Sequence, residues 1–275
     1  VPLRKGSKVL LTGPFATQAF SAAISKIDRS AHITIVKGCD VTGSDTAGFA
    51  AATVKDTDVV ILCLGSEESL EHEYHDRVNG SLPGVQSQFA QVVLTAATAG
   101  RKSAVAVLSN RGSLSVDELK ESCPAIILGW APGGGGSPSL WSITPVAEAL
   151  YGLFSPAGKT PYTIYPAEYI AQENYFQMSM TSGLGRSYRY YSGEPLWPFG
   201  WGLTLTDWSL ALHASAGASA VALGDGRMGN FSVALRNIGQ RDSDEVVFVY
   251  FSPQFKRPDC PVPKRQLIDF RRVHV

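Results

Sequence analysis

The sequence contains no apolar run approaching the ~20 residues that cross a bilayer, so no membrane span is expected. It has no excess of either charge: Lys+Arg and Asp+Glu both number 24, and the net charge is zero. That balance removes the electrostatic case for nucleic acid or an anionic lipid surface. The four cysteines (Cys39, Cys63, Cys123, Cys260) form no CxxC pair, which argues against a zinc ribbon or a thioredoxin-type site. The turn after the first predicted strand lacks GxGxxG, and Gly133–Gly136 is not followed by GK[ST]. A nucleotide-binding reading is disfavoured on both counts. The opening Val1-Pro2-Leu3-Arg4-Lys5-Gly6 has none of the apolar stretch of a signal peptide. A leader already removed, or an internal piece of a longer polypeptide, is the expectation.

What remains is a core-forming composition, with 44% hydrophobic and only 17% charged residues. Over the first 166 residues, strand-like and helix-like segments alternate. Strands are predicted at Lys8–Thr12, His32–Val36, Asp58–Leu64, Ser103–Leu108 and Ala125–Leu128. Helices are predicted at Ala16–Ile27, Thr46–Lys55, Gly84–Thr98, Val116–Lys120 and Ile143–Leu153. Asp58–Leu64 is too continuously apolar for a one-sided strand, so a buried parallel strand with helices on both faces is the natural reading. The expected fold class is α/β, an open, mostly parallel sheet sandwiched by helices.

After Pro166 helical periodicity stops. An aromatic, Gly- and Pro-rich linker is expected over 167–207, then short alternating strands over 208–275: Ser209–Ala214, Asn230–Arg236, Glu245–Phe251 and Gln266–Val275. These read as a partial all-β sandwich of the immunoglobulin or fibronectin III-like kind. Such a sandwich takes ~7 strands, so a partner chain or further residues are expected to complete it. Sequons at Asn79-Gly80-Ser81 and Asn230-Phe231-Ser232 fall in expected turns or edge strands and point to a glycosylated, secreted protein.

The densest chemistry follows Gly65: Ser66-Glu67-Glu68-Ser69-Leu70-Glu71-His72-Glu73-Tyr74-His75-Asp76-Arg77. In an open α/β sheet, loops at the strands' C-terminal ends form the functional edge. Composition alone reads this loop as a solvated acidic turn. His72 and His75 flank acids, but they are three apart in a loop, not four apart on a helix as in HExxH, so no metal is expected.

The spacing Gly65-(x)5-Glu71-x-Glu73-x-x-Asp76-Arg77, followed by Leu82-Pro83-Gly84-x-Gln86, resembles the acid/base loop of family 3 glycoside hydrolases. In the xylosidase-like branch that loop reads approximately G-x-D-x-x-x-E-x-E-x-x-D-R and then P-G-x-Q. Similar segments follow in order: Gly129–Gly136, Tyr151–Pro166, Tyr188–Tyr191 and Leu196–Leu203. The sequence departs from the family at Ser115-Val116, where an Asp-Val is usual, and Ser137–Thr144 carries extra residues.

The resemblance implies a retaining exo-β-glycosidase, with xylose or arabinose favoured over glucose and no cofactor. Its nucleophilic Asp would lie in an N-terminal barrel domain absent from this sequence. Glu73 best matches the general acid/base and Glu71 is the near alternative. Asp76 and Arg77 are expected to pair and shape the loop. The partners implied are the barrel domain or chain and a glycoside or saccharide. The rival reading is an inactive homologue serving as a structural or carbohydrate-binding subunit.

Overall fold

A computed structural model describes residues 2–43, 47–129, 140–174, 176–214, 231–253 and 260–275. The first part runs β1 (Lys8–Thr12), α1 (Gln18–Ile27), β2 (His32–Val36), α2 (Ala47–Val54), β3 (Val59–Gly65), α3 (Gln86–Ala99), β4 (Ser103–Ser109), α4 (Asp117–Ser122), β5 (Ile126–Leu128) and α5 (Leu140–Leu150). The strands form one sheet in the order β2-β1-β3-β4-β5, every neighbouring pair parallel. Each expected strand and helix is present, with ends moved by a few residues.

Side-chain alternation explains why β3 is apolar throughout. Val60, Leu62 and Leu64 point to one face, where Phe89, Ala90, Val93 and Leu94 of α3 and Leu119 of α4 cover them. Val59, Ile61 and Cys63 point to the other, against Phe20 and Ile24 of α1 and Val146, Ala147 and Leu150 of α5. A strand buried on both faces has no polar side to show. Burying each such Val, Leu, Ile or Phe contributes about 1.5–3 kcal/mol, so the two faces fix the register of the sheet and hence of its loops. Burial also raises the Cys63 thiol far above its ordinary range, leaving it a core residue.

The end of α1 is tied to the end of α5 through a buried carboxylate. Asp28 accepts hydrogen bonds from the Gly6 amide (2.8 Å), the Ser30 amide (3.0 Å), the Ser30 hydroxyl (2.6 Å) and the Tyr151 hydroxyl (3.3 Å). Burial pushes the Asp28 pKa up, but the Ser30, Gly6 and Tyr151 bonds together outweigh it and hold it below the usual value. Burial, and then the Asp28 charge, push Tyr151 up to about 12. Because the folded Asp28 value is depressed, its contribution to stability is present above the unfolded pKa of about 3.9. It is lost as pH falls through the folded value. Asp28→Asn is therefore expected to lower stability by about 1–3 kcal/mol at neutral pH. In urea titrations the gap to wild type narrows as pH drops below about 4. A gap independent of pH contradicts the assignment.

Among the described residues beyond 166 the chain forms two short helices, α6 (Ala167–Gln172) and α7 (Ser187–Tyr190). The sequence reading expected no helix here, because one or two turns leave no visible periodicity. The strands β6 (Trp208–Ala214), β7 (Phe231–Asn237), β8 (Asp244–Phe251) and β9 (Gln266–His274) follow. They make two antiparallel two-stranded sheets, β6-β7 and β8-β9. Leu210, Leu212, Ile268 and Phe270 on these strands are exposed.

Both parts are joined by specific contacts. Lys159 Nζ meets Glu245 Oε1 at 2.7 Å and donates to the Gly202 carbonyl at 2.8 Å. Ile164 and Trp197 exchange backbone hydrogen bonds, and Phe199 packs against Tyr188 and Phe248. The aromatic run from Tyr188 to Phe199 is thus packing material, and Lys159 ties the two parts together.

Candidate active-site loop

The loop begins at Gly65, whose φ of +148° favours glycine; a Cβ there would lie 1.6 Å from the Ser109 carbonyl oxygen. Only glycine lets β3 end this close to β4. Gln86, fully buried at the start of α3, clamps the same residue. Its Oε1 accepts from the Gly65 amide at 2.8 Å, and its Nε2 donates to the Gly65 carbonyl at 2.8 Å and the Val41 carbonyl at 3.1 Å. The glutamine that follows Pro83-Gly84 therefore serves as an anchor for the loop's first residue.

Arg77 organises the loop interior. Its Nε donates to Glu71 Oε2 at 2.9 Å, and its terminal nitrogens donate to the carbonyls of Asn79 (3.2 Å), Ser81 (3.0 Å) and Ser113 (2.7 Å). The side chains of Arg77 and Glu71 are 12% and 26% exposed, so this pair is partly shielded from water. Arg77 and Glu71 thus form an ion pair inside the loop. Glu71 also packs on Gly112: a Cβ at that position would sit 1.9 Å from Glu71 Oε1. Arg111 pairs with Glu68 at 3.3 Å and joins the same two loops on the outside.

Near Glu71 lies Tyr162. Burial pushes its phenol up to about 12, and the Glu71 charge adds to that shift. Sequence reasoning missed this residue, because a lone tyrosine in a Thr-Pro-Tyr-Thr stretch carries no signal of what it faces.

Between Glu71 and Arg77 the chain makes a tight turn. His72 and His75 exchange backbone hydrogen bonds of 3.1 and 2.9 Å, and their rings stack with centroids 5.3 Å apart. Glu73 and Tyr74 occupy the two corner positions. Tyr74 has φ +68° and is 97% exposed; a non-glycine residue held there costs about 1–3 kcal/mol. Glu73 is exposed at the same tip, with no side-chain hydrogen bond or ion pair among the described residues. The two candidate carboxylates thus differ in kind: Glu71 is engaged by a guanidinium inside the loop, and Glu73 is presented outward.

Asn79 is exposed, its Oδ1 accepting from the Ser81 amide at 2.8 Å. Asn230 and most of the Gly129–Gly136 segment lie outside the described residues. Among the described residues, no three His, Cys, Asp or Glu side chains gather as a metal site, and no helix is long and apolar enough to cross a membrane.

The sequence matches the family described as "Glycosyl hydrolase family 3 C-terminal domain" over residues 1–205. It is 29% identical over 280 residues to Beta-D-xylosidase 1 of Arabidopsis thaliana, covering 92% of this chain and 35% of that protein. To the Beta-xylosidase of Formosa agariphila it is 28% identical over 260 residues, covering 90% and 34%. The chain thus spans about a third of the length of these relatives. Among solved structures, a GH3 exo-beta-xylosidase in complex with a xylobiose aziridine probe superposes with a TM-score of 0.82 at 23% identity, covering 99% of this chain and 39% of that one. The beta-glucosidase from Listeria innocua in complex with isofagomine gives 0.79 at 24% identity, covering 100% and 40%.

Proposed function

The chain belongs to glycosyl hydrolase family 3, and from that premise we propose that it is the acid/base-bearing part of a retaining exo-β-glycosidase cleaving terminal β-linked xylose or arabinose. In this reading Glu73 protonates the departing glycosidic oxygen. An Asp on an N-terminal barrel domain attacks the anomeric carbon, and Glu73 then deprotonates the water that releases the sugar. Retaining chemistry brings the two carboxyls to ~5–5.5 Å. That favours a carboxylate carried outward on a loop tip over one committed within its own loop.

The observation that carries the reading is this division of labour at the sheet's C-terminal edge. Arg77 holds Glu71, and the 72–75 turn projects Glu73. A carboxylate whose oxygen already accepts from a guanidinium within its own loop is held there and is not free to reach a departing oxygen. The xylosidase names of the curated relatives support the pentose preference.

We further assign residues 1–166 to the acid/base domain, 167–207 to the linker and 208–275 to a fibronectin III-like unit. The exposed Asn79 supports a glycosylated protein of the secretory route.

The test is the full-length polypeptide carrying the N-terminal domain, assayed on aryl β-xylosides, β-arabinosides and β-glucosides. NMR would follow the first-formed anomer. Release of the β-anomer, fastest from a pentoside, is the expected result. Initial release of the α-anomer contradicts retention, and sugar binding without turnover supports a non-catalytic carbohydrate-binding subunit instead.

A further inference from the structure

We propose that His72 is a positioning residue: its own ring fixes the peptide that carries Glu73. The inference rests on the reading of Glu73 as proton donor and adds to it the device that aims the carboxyl. His72 Nδ1 lies 2.7 Å from the Glu73 carbonyl oxygen. A carbonyl oxygen only accepts hydrogen bonds, so Nδ1 carries the proton and donates. The imidazolium and the Nδ1–H tautomer both donate at this atom.

Three further features converge on the same turn. The backbones of His72 and His75 bond to each other in both directions, and their rings stack at 5.3 Å with planes 21° apart. Tyr74, the residue after Glu73, sits at φ +68°, a conformation that a tyrosine leaves readily unless neighbours hold it. His72 supplies a hold at the peptide between the two corner residues. His72 is exposed, so its removal opens no core cavity. The consequence falls on where Glu73 points.

Two measurements decide the matter. In this chain, proton–nitrogen NMR correlations recorded at mildly alkaline pH should show the neutral His72 ring as the Nδ1–H tautomer. The Nε2–H tautomer overturns the clasp. In the full-length polypeptide, His72→Ala is expected to cut kcat/KM about 10-fold or more on glycosides with poor leaving groups, since small misplacements of a catalytic group are costly. On dinitrophenyl glycosides, which need little protonation, the fall stays within about 2-fold. His72→Asn places an amide N–H near the position of Nδ1–H and should recover activity to within about 3-fold of wild type. An equal fall on both substrates, or no difference between the Ala and Asn variants, overturns the inference. If Glu73→Gln itself shows no leaving-group dependence, the reading of Glu73 fails instead, and the tautomer still reports on the clasp.

Discussion

Glu73→Gln in the full-length polypeptide is expected to lower kcat/KM by about 10²–10⁴-fold on glycosides whose leaving group must be protonated. That corresponds to about 2.7–5.5 kcal/mol of transition-state stabilisation. Glutamine keeps the size of the side chain and removes only the transferable proton. Dinitrophenyl glycosides depart without help, so their first step is largely spared and the glycosyl-enzyme then waits for a base. Azide needs no deprotonation, attacks that intermediate and releases a glycosyl azide of retained configuration. Because Glu73 is exposed at a loop tip, thermal stability should stay within about 0.5 kcal/mol of wild type. Glu71→Gln provides the contrast. If the leaving-group signature and azide rescue follow Glu71 instead, the acid has been assigned to the wrong member of the pair.

How far the sequence allowed this choice is a question of range. The five parallel strands were legible because their signal is local: β3 is apolar on both faces, and glycine marks its end. The position of the acidic loop followed from that strand. What the sequence concealed depends on how the loop folds back. The 72–75 turn reverses the chain and delivers Arg77 to Glu71, six positions away. No composition rule foretells that reversal, because it uses a tyrosine in a conformation that tyrosines avoid. Gln86 was visible as a letter in a pattern, but its role needed Gly65 beside it. Tyr162 comes from a segment about fifty residues beyond Asn110 and Ser113 and gave no local sign of its surroundings.

Arg77→Met should be the most damaging change inside the loop. It removes the donor to Glu71 and to the carbonyls of Asn79, Ser81 and Ser113 together. The Glu71 carboxylate is then left against Gly112 without a counter-charge. Breaking a fully buried pair by deleting one partner costs about 3–5 kcal/mol; with both side chains partly open to water, about 2–4 kcal/mol is expected after that discount. Urea melts of the single and double variants check the origin of the loss. Glu71→Gln alone should cost less, since its amide oxygen still accepts from Arg77. The double variant should lose less than the two singles summed, with a coupling above about 1 kcal/mol. Strict additivity there, or a larger coupling of Arg77 to Asp76 than to Glu71, sinks the assignment. Activity separates the two carboxylates once more. Arg77→Met unsettles the turn that carries Glu73 and so slows poor leaving groups, whereas a loop held only for stability would leave the ratio between good and poor leaving groups unchanged.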